Sequence, residues 1–422
     1  MFNFKNPFRR KQIGTYAGLV PGGEPSYAPR DYENFAKEAY MKNWVAYRAI
    51  DMRAKAVASV PWDVMKKDAE GKPEVVENSP WNLLLSRPNP QQSRQMFFYN
   101  LVSYWLLSGN SFIGRIRLSG GTNKGLVREL YSYRPSDVKI EVDSATNQIV
   151  RYIYQQSLSR QLVFDVDPVS QQCDMLHLKL FHPTEDIYGM SPIDPGGRSI
   201  DTSNSATDWN KGMLQNQARP GMLMMFERNL SDAQYNKLKK DLREHREGPK
   251  NAGLSLILEG AKDAKPYGFN PTEMDFINGD RDTSRKIASV FGVPGQLIGI
   301  LGDSTYANYE QARQVFWEDT VIPDLNMIKE ELNAWLFYND KSGVYFDYDL
   351  DEVAALEAKR ESMWKRANES KFIMINEKRE MVGYDAAEGG DVILVSTSDI
   401  PLDADLTVEE DLPEENIDED QI

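Results

Sequence analysis

Apolar residues recur along this chain in two rhythms, every three to four positions or every second one, and the switches between them lay out its elements. From Trp44 to Val60 the spacing predicts a helix with Ala on its tight faces, stopped by Pro61; Trp62 to Met65 then reads as a strand. Ser79-Pro80 opens a short helix through Leu85. Ser93 starts another, with Phe97, Leu101, Tyr104, Trp105 and Leu106 apolar, ended by Gly109-Asn110 and followed by a strand from Ser111 to Arg117. Between residues 126 and 181 the rhythm becomes two: LVRELYSY, VKIEV, IVRYIYQ, LVFDV and MLHLKL are strands, antiparallel by their short connections.

A helix over residues 199–218 is polar nearly all round, with only Ile200, Trp209, Met213 and Leu214 apolar, and so needs identical neighbours to hold it. A small α/β insertion follows. It has a strand at Gly221 to Phe226, a helix capped by Ser231 and Gln234 and ended by Gly248-Pro249, and a second strand at Leu254 to Leu258. Its helix sets an apolar stripe (Tyr235, Leu238, Leu242) against a basic face of Lys237, Lys239, Lys240, Arg243 and Arg246, with four acids interleaved. That face is either a solvated surface or a docking face for an acidic partner.

The stretch from Asn270 to Glu310 reads as helix, loop, helix. Asn270, Pro271 and Glu273 form a capped start, Gly292 supplies a left-handed stop, and Pro294 prevents continuation. Gly295 to Asn308 is a loop with three glycines among small polar residues. A helix from Tyr309 to Tyr338 comes next, about 45 Å at helical rise, with a kink expected at Pro323. Leu356 to Asn368 and Asn376 to Met381 are helical, and Val392 to Val395 is a short strand.

Length and charge sharpen the picture. A chain of 422 residues exceeds one usual core, so two or more packed regions are expected. The net charge of -15 is local: Glu380 to Ile422 holds fifteen acids and no Lys or Arg, leaving 49 acids against 49 bases elsewhere. A neutral body argues against a protein that grips phosphates tightly. The lone Cys173 excludes an internal disulfide and suits a reducing compartment. Neither a signal peptide nor a bilayer-spanning segment is legible, so a soluble, cytoplasmic product is expected.

Catalytic motifs are scarce. The chain has no phosphate-cradling G-x-x-x-x-G-K-[ST], no H-E-x-x-H, no paired C-x-x-C and no G-x-S-x-G. His177 and His182 fall on opposite faces of a strand, which favours structural roles over a shared metal, and His245 has no partner in view. DYDLD, from Asp347, fails the calcium-loop rule because Glu352 and Ala358 stand at its sixth and twelfth positions. No cofactor and no catalytic residue is expected. A competing reading, a metal-dependent nucleic-acid-processing enzyme, would take its ligands from DYDLD or from Asp280 and Asp282.

FGVPGQLIG, then TYANYEQ, then a long helix containing IPDL resembles the portal (head-to-tail connector) proteins of tailed bacteriophages, in the family with compact siphophage-type chains. LLLSRPNP, LLSGNSFIG, LYSYRPSDV, LHLKLF, YGMSP, ARPGML and INEKREMVG extend the resemblance in order from about residue 40 to residue 385. It implies an α+β portal-type fold: a flexible N-terminal arm (1–40), a mixed α/β wing (41–195), a stem helix (196–218), a small α/β clip (219–269), a second stem helix (270–292), a tunnel loop (293–308), a long kinked wing helix (309–340), a helical crown (341–390) and a disordered acidic tail (391–422). It further implies a dodecameric ring at one capsid vertex, double-stranded DNA passing without sequence specificity, and docking of the terminase large subunit, a head-to-tail adaptor, and the major capsid and scaffold proteins. No membrane partner is implied. By the same resemblance Gly299, Gly302, Asp303, Ser304, Thr305 and Asn308 face DNA in the tunnel loop, and Lys237, Lys240 and Arg243 form a clip docking face.

Overall fold

The computed structural model describes residues 16–19, 25–28 and 32–394, apart from 69–70, 78, 122–123, 144–145, 147, 158, 216–220, 227–230, 234–235, 237–260, 268–275, 301–305, 339 and 341. The chain divides into two compact units, the first ending at Ala355 and the second starting at Leu356.

The expected arm is structured in part. Strands β1 (Tyr16–Leu19) and β2 (Pro25–Ala28) pair antiparallel, and a helical turn at Tyr32–Asn34 runs into a π-helix at Phe35–Met41. Helix α1 (Trp44–Ser59) starts where the Asn43 side chain accepts the Val45 and Ala46 amides, and its small residues Ala46, Ala49 and Ala54 are fully buried. Strand β3 (Trp62–Lys67) follows Pro61 and pairs antiparallel with β4 (Pro73–Val75). Helix α2 (Pro80–Ser86) is capped by Ser79, and helix α3 (Arg94–Ser108) by Ser93. The latter buries Phe97, Phe98, Leu101, Val102, Trp105 and Leu106. At about 1.5–3 kcal/mol each, these aromatic and aliphatic side chains dominate the core of the first unit. It ends at Gly109, whose φ of 75° and backbone bond to Trp105 O close the helix in a left-handed turn.

Two further three-stranded antiparallel sheets follow. One orders β10 (Met175–Lys179), β5 (Asn110–Arg117) and β6 (Val127–Tyr133); the other runs through β7 (Val138–Val142), β8 (Ile149–Ser157) and β9 (Arg160–Asp165). Their facing sides share a second core of Phe112, Tyr133, Val138, Ile140, Tyr152, Cys173 and Met175. Cys173 is buried, and burial pushes its thiol above the usual range, as expected of a packing residue. His177 also has a structural role. Its ring stacks on Phe112 at 4.4 Å and its Nε2 lies 2.9 Å from Asn110 Oδ1, while His182 sits half-buried beyond the strand.

Helix α4 (Ile193–Gln215) begins earlier than the polar run suggests. Helix α5 (Phe276–Val290) packs beside it, and a Cβ at Gly196 would lie 3.1 Å from Val290 Cγ1, so the two approach closely there. Strands β11 (Gly221–Phe226) and β12 (Ala261–Tyr267) pair antiparallel. The partner of β11 is thus Ala261–Tyr267; the expected strand at 254–258 and the cap at Asn270, Pro271 and Glu273 lie outside the described residues. AKDAKPY hides this strand because it has no apolar alternation and carries Pro266, which cannot donate.

Between α5 and the wing helix, the expected loop is partly helix. Gly295–Ile298 forms helix α6, with Val293, Leu297, Ile298 and Ile300 buried, and helix α7 (Tyr306–Phe316) starts three residues before the expected point. Asn308 therefore lies in the first turn of a helix rather than in a loop. The kink expected at Pro323 is a π-helical turn at Trp317–Val321 leading into helix α8 (Ile322–Leu336). Pro323 has no N–H for the preceding turn, and the wider π turn absorbs the missing bond. The acidic DYDLD run begins in strand β13 (Val344–Tyr348), which pairs with β3, so residues 341–355 fold with the first unit rather than with a crown.

The second unit has helix α9 (Glu357–Glu369) and helix α10 (Ile375–Met381). Asn376 organises it: its amide donates to Ala387 O and Asp391 Oδ1, and its Oδ1 accepts the Ala387 amide. Residues 391–394 form no strand; beside the Asp391 side-chain bond to Asn376, Val392 O accepts from Ile375 N.

Candidate functional site

The region between α5 and α7 is anchored at its root by bonds from two other elements, one of them braced by a third. Helix α5 ends in a Schellman arrangement, with Gly292 N bonded to Ser289 O and Val293 N to Ala288 O. Gly292 has φ +68°, and Val293 and Ala288 are both buried. The carbonyls freed at this helix end are captured. Arg53 of α1 donates Nη1 to Phe291 O at 3.0 Å, and Thr320 of the π turn donates Oγ1 to Gly292 O at 2.7 Å. Arg53 is itself held by a two-bond pair to Asp324, Nε–Oδ2 at 2.6 Å and Nη2–Oδ1 at 2.7 Å. Both side chains are largely buried, at 14% and 6% exposure, so the pair is weakly screened and geometrically demanding.

Beyond this clamp, Val293, Leu297, Ile298 and Ile300 pin the next eight residues to the body, and Gly299 closes α6 with φ +92° and open space around it. Residues Gly302, Asp303, Ser304 and Thr305 lie outside the described residues; Gly299 and Asn308, which flank them, are both exposed. The predicted site is thus brought to one place only at its two edges. Sequence reading missed Arg53, Thr320 and Asp324, because their partners are 28 to 271 positions away and no local motif marks them.

Gly292→Ala is expected to cost about 1–2 kcal/mol from backbone strain alone. The added Cβ would also lie 2.7 Å from Thr320 Oγ1 and break the clamp. A shift of the denaturant midpoint at unchanged slope is the measurement.

The stem pair changes character along its length. On α4 the residues Ile193, Gly196, Gly197, Ile200, Ser203 and Asn204 are buried, and Asn204 accepts from Asn43 Nδ2 and donates to Glu38 O. From Thr207 to Lys211 every residue is exposed, as are Asn278, Gly279 and Asp280 of α5. The first half is therefore held by the chain's own body, and the exposed second half is the part for which the expectation of neighbouring copies still applies. At the junction burial raises the Asp201 carboxyl to about 6, with Glu38 adding to the effect and Lys42 opposing it.

The clip residues Lys237, Lys240 and Arg243, like His245, lie outside the described residues. The acids of the enzyme reading are engaged or dispersed. Asp347 pairs with Lys329 at 3.0 Å and Asp282 with Arg285 at 3.0 Å. Among the described residues no group of three His, Cys, Asp or Glu could hold a metal, and no helix is long and apolar enough to cross a membrane.

A mixed α+β body, an emergent polar helix pair and an inter-helical connection clamped at its root define a scaffold protein without a catalytic constellation among the described residues. The comparisons agree with that class. The model of the family described as phage portal protein matches residues 45–383, and the chain belongs to that family. A chain from Rickettsia bellii is 39% identical over 357 residues, covering 84% of this chain and 90% of that one. The portal protein of Enterobacteria phage HK97 is 24% identical over 364 residues, covering 84% and 82%. A solved structure of the neck of a native GTA particle, computed with C12 symmetry, superposes with a TM-score of 0.63 at 33% identity, covering 86% and 96%. The protein is accordingly a structural component of the portal vertex, not an enzyme, and the metal-dependent reading finds no support.

Proposed function

We propose that copies of this chain assemble into a twelve-membered ring through which duplex DNA passes during packaging and ejection. The tunnel loop, residues 299–305, faces the axial channel. The terminase large subunit and a head-to-tail adaptor dock at the clip, where Lys237, Lys240 and Arg243 meet acidic partner surfaces, and capsid and scaffold proteins meet the wing. The observation that supports the reading is the clamp at Phe291 and Gly292, which bonds the root of the connection between α5 and α7 to the body, with Val293, Leu297, Ile298 and Ile300 buried just beyond it. Gly299 and Gly302 permit backbone conformations that other residues resist, and Asp303, Ser304, Thr305 and Asn308 bring short polar groups without a strong grip on phosphate.

Native mass spectrometry and negative-stain microscopy of the purified chain test the ring, which is expected as about twelve copies around an axial hole. Shortening Gly299 to Asp303 tests the loop. Rings are expected to form normally while DNA packaging or retention falls; unchanged DNA filling would remove the loop from the function.

A further inference from the structure

A cavity of about 240 Å³ lies in the first unit, lined by three segments far apart in sequence. Its apolar wall is Pro61, which precedes β3, Trp317 of the π turn, and Val353 and Ala355 beyond β13. Trp317, Val353 and Ala355 are buried, and Asp349 N bonds to Pro61 O at 3.1 Å, so the wall is formed before any ligand arrives. Such a volume is below the range of drug-sized pockets and suits a ligand about as large as one side chain.

Two opposite charges line the same cavity and do not pair. Arg313, on α7 one turn before Trp317, is half-buried, and Glu352 is exposed. Among the described residues neither side chain has an ion pair or hydrogen bond, and the Trp317 indole N–H has no acceptor. Ser59, also on the lining, spends its hydroxyl on Ala56 O. The difference in burial sets the sign of the ligand. A half-buried guanidinium has lost water that no protein group replaces, so an anion gains more there than a cation gains at hydrated Glu352. The planar fork of Arg favours a carboxylate, which it can take through two bonds.

We propose that this cavity binds a carboxylate carried on a short aliphatic stem, with Arg313 holding the charge and Pro61, Trp317, Val353 and Ala355 covering the stem. A free organic acid and the acidic side chain of a partner's peptide both offer that chemistry, and the test separates them. A ligand here ties the π turn, whose Thr320 holds Gly292 O, to the end of the first unit, and so braces the root of the connection between α5 and α7. The site belongs to one chain and needs no ring.

The probe is isovalerate, titrated against the full-length chain and followed by ligand-observed NMR. Saturable binding with a Kd on the order of 1 mM is expected. Acetate, which lacks the stem, and isoamylamine, which keeps the carbon skeleton but reverses the charge, are expected to bind at least about tenfold more weakly. Arg313→Gln is expected to weaken isovalerate at least about tenfold, and Glu352→Gln to tighten it about two- to fivefold by removing a like charge. Neither side chain holds the fold through a bond, so both variants are expected to melt as wild type does. A capped Leu-Asp dipeptide that binds more tightly than isovalerate assigns the carboxylate to a partner's peptide; the reverse order assigns it to a free acid. No saturable binding of either ligand, equal binding of isoamylamine, or an affinity that Arg313→Gln leaves unchanged overturns the site.

Discussion

Arg53→Ala is expected to destabilise the chain by about 3–5 kcal/mol, because it leaves Asp324 buried with its charge unpaired. The pair is 271 residues apart in sequence, has two bonds under 2.8 Å and lies almost wholly out of water. Removal also frees Phe291 O, so the loss combines an uncompensated carboxylate with an orphaned carbonyl at the helix end. Replacing both partners by apolar residues of similar volume, Arg53→Met with Asp324→Leu, is expected to recover most of the stability but not the bond to Phe291 O. The pair therefore separates two roles. Denaturant unfolding reads the stability, and DNA retention by assembled particles reads the loop. A double variant with restored midpoint and impaired retention would assign Arg53 to loop positioning; normal retention would reduce it to a stabilising residue.

Acid is expected to weaken the protein through His177. Burial holds its pKa down to about 3 from the ordinary 6.5, with the positive charge of Lys179 contributing. The neutral ring donates Nε2–H to Asn110 Oδ1, since Asn110 uses its own amide on Ser108 O and Gly189 O. With a depressed folded-state pKa, the contribution is present in full above 6.5 and is lost as pH falls toward 3, because only the unfolded chain takes up the proton. Between pH 7.5 and pH 5 the loss from this residue is about 2 kcal/mol. His177→Gln keeps a donor near Asn110 but cannot titrate in this range. Its unfolding free energy is expected to fall less steeply over that interval than that of wild type, and parallel pH profiles would contradict the assignment.

Much of the local architecture is readable before any folding. Ser79, Ser93, Gly109 and Gly292 mark helix ends by chemistry that acts over four residues or fewer, and each stands at the end it announces. Period-two runs likewise place β6 to β10, since alternation reports one buried face. The failures share a cause. AKDAKPY and VYFDY lack an alternating pattern and become strands only because β11 and β3 offer them a partner. GQLIG reads as a loop from its glycines, yet Leu297 and Ile298 find buried sites and wind the segment into a turn of helix.

The placement of the loop is the clearest case of division. Gly292, Pro294 and Gly299 announce from sequence that α5 stops and the chain turns, because left-handed backbone and a missing N–H are properties of single residues. Which way the turn is held depends on Arg53 and Thr320, residues on other helices whose polar atoms reach Phe291 and Gly292 only after those helices have packed, and on Asp324, which holds Arg53 in place. A backbone stop is a short-range steric fact; a buried ion pair exists only where the tertiary fold brings two distant charges together and excludes water from between them.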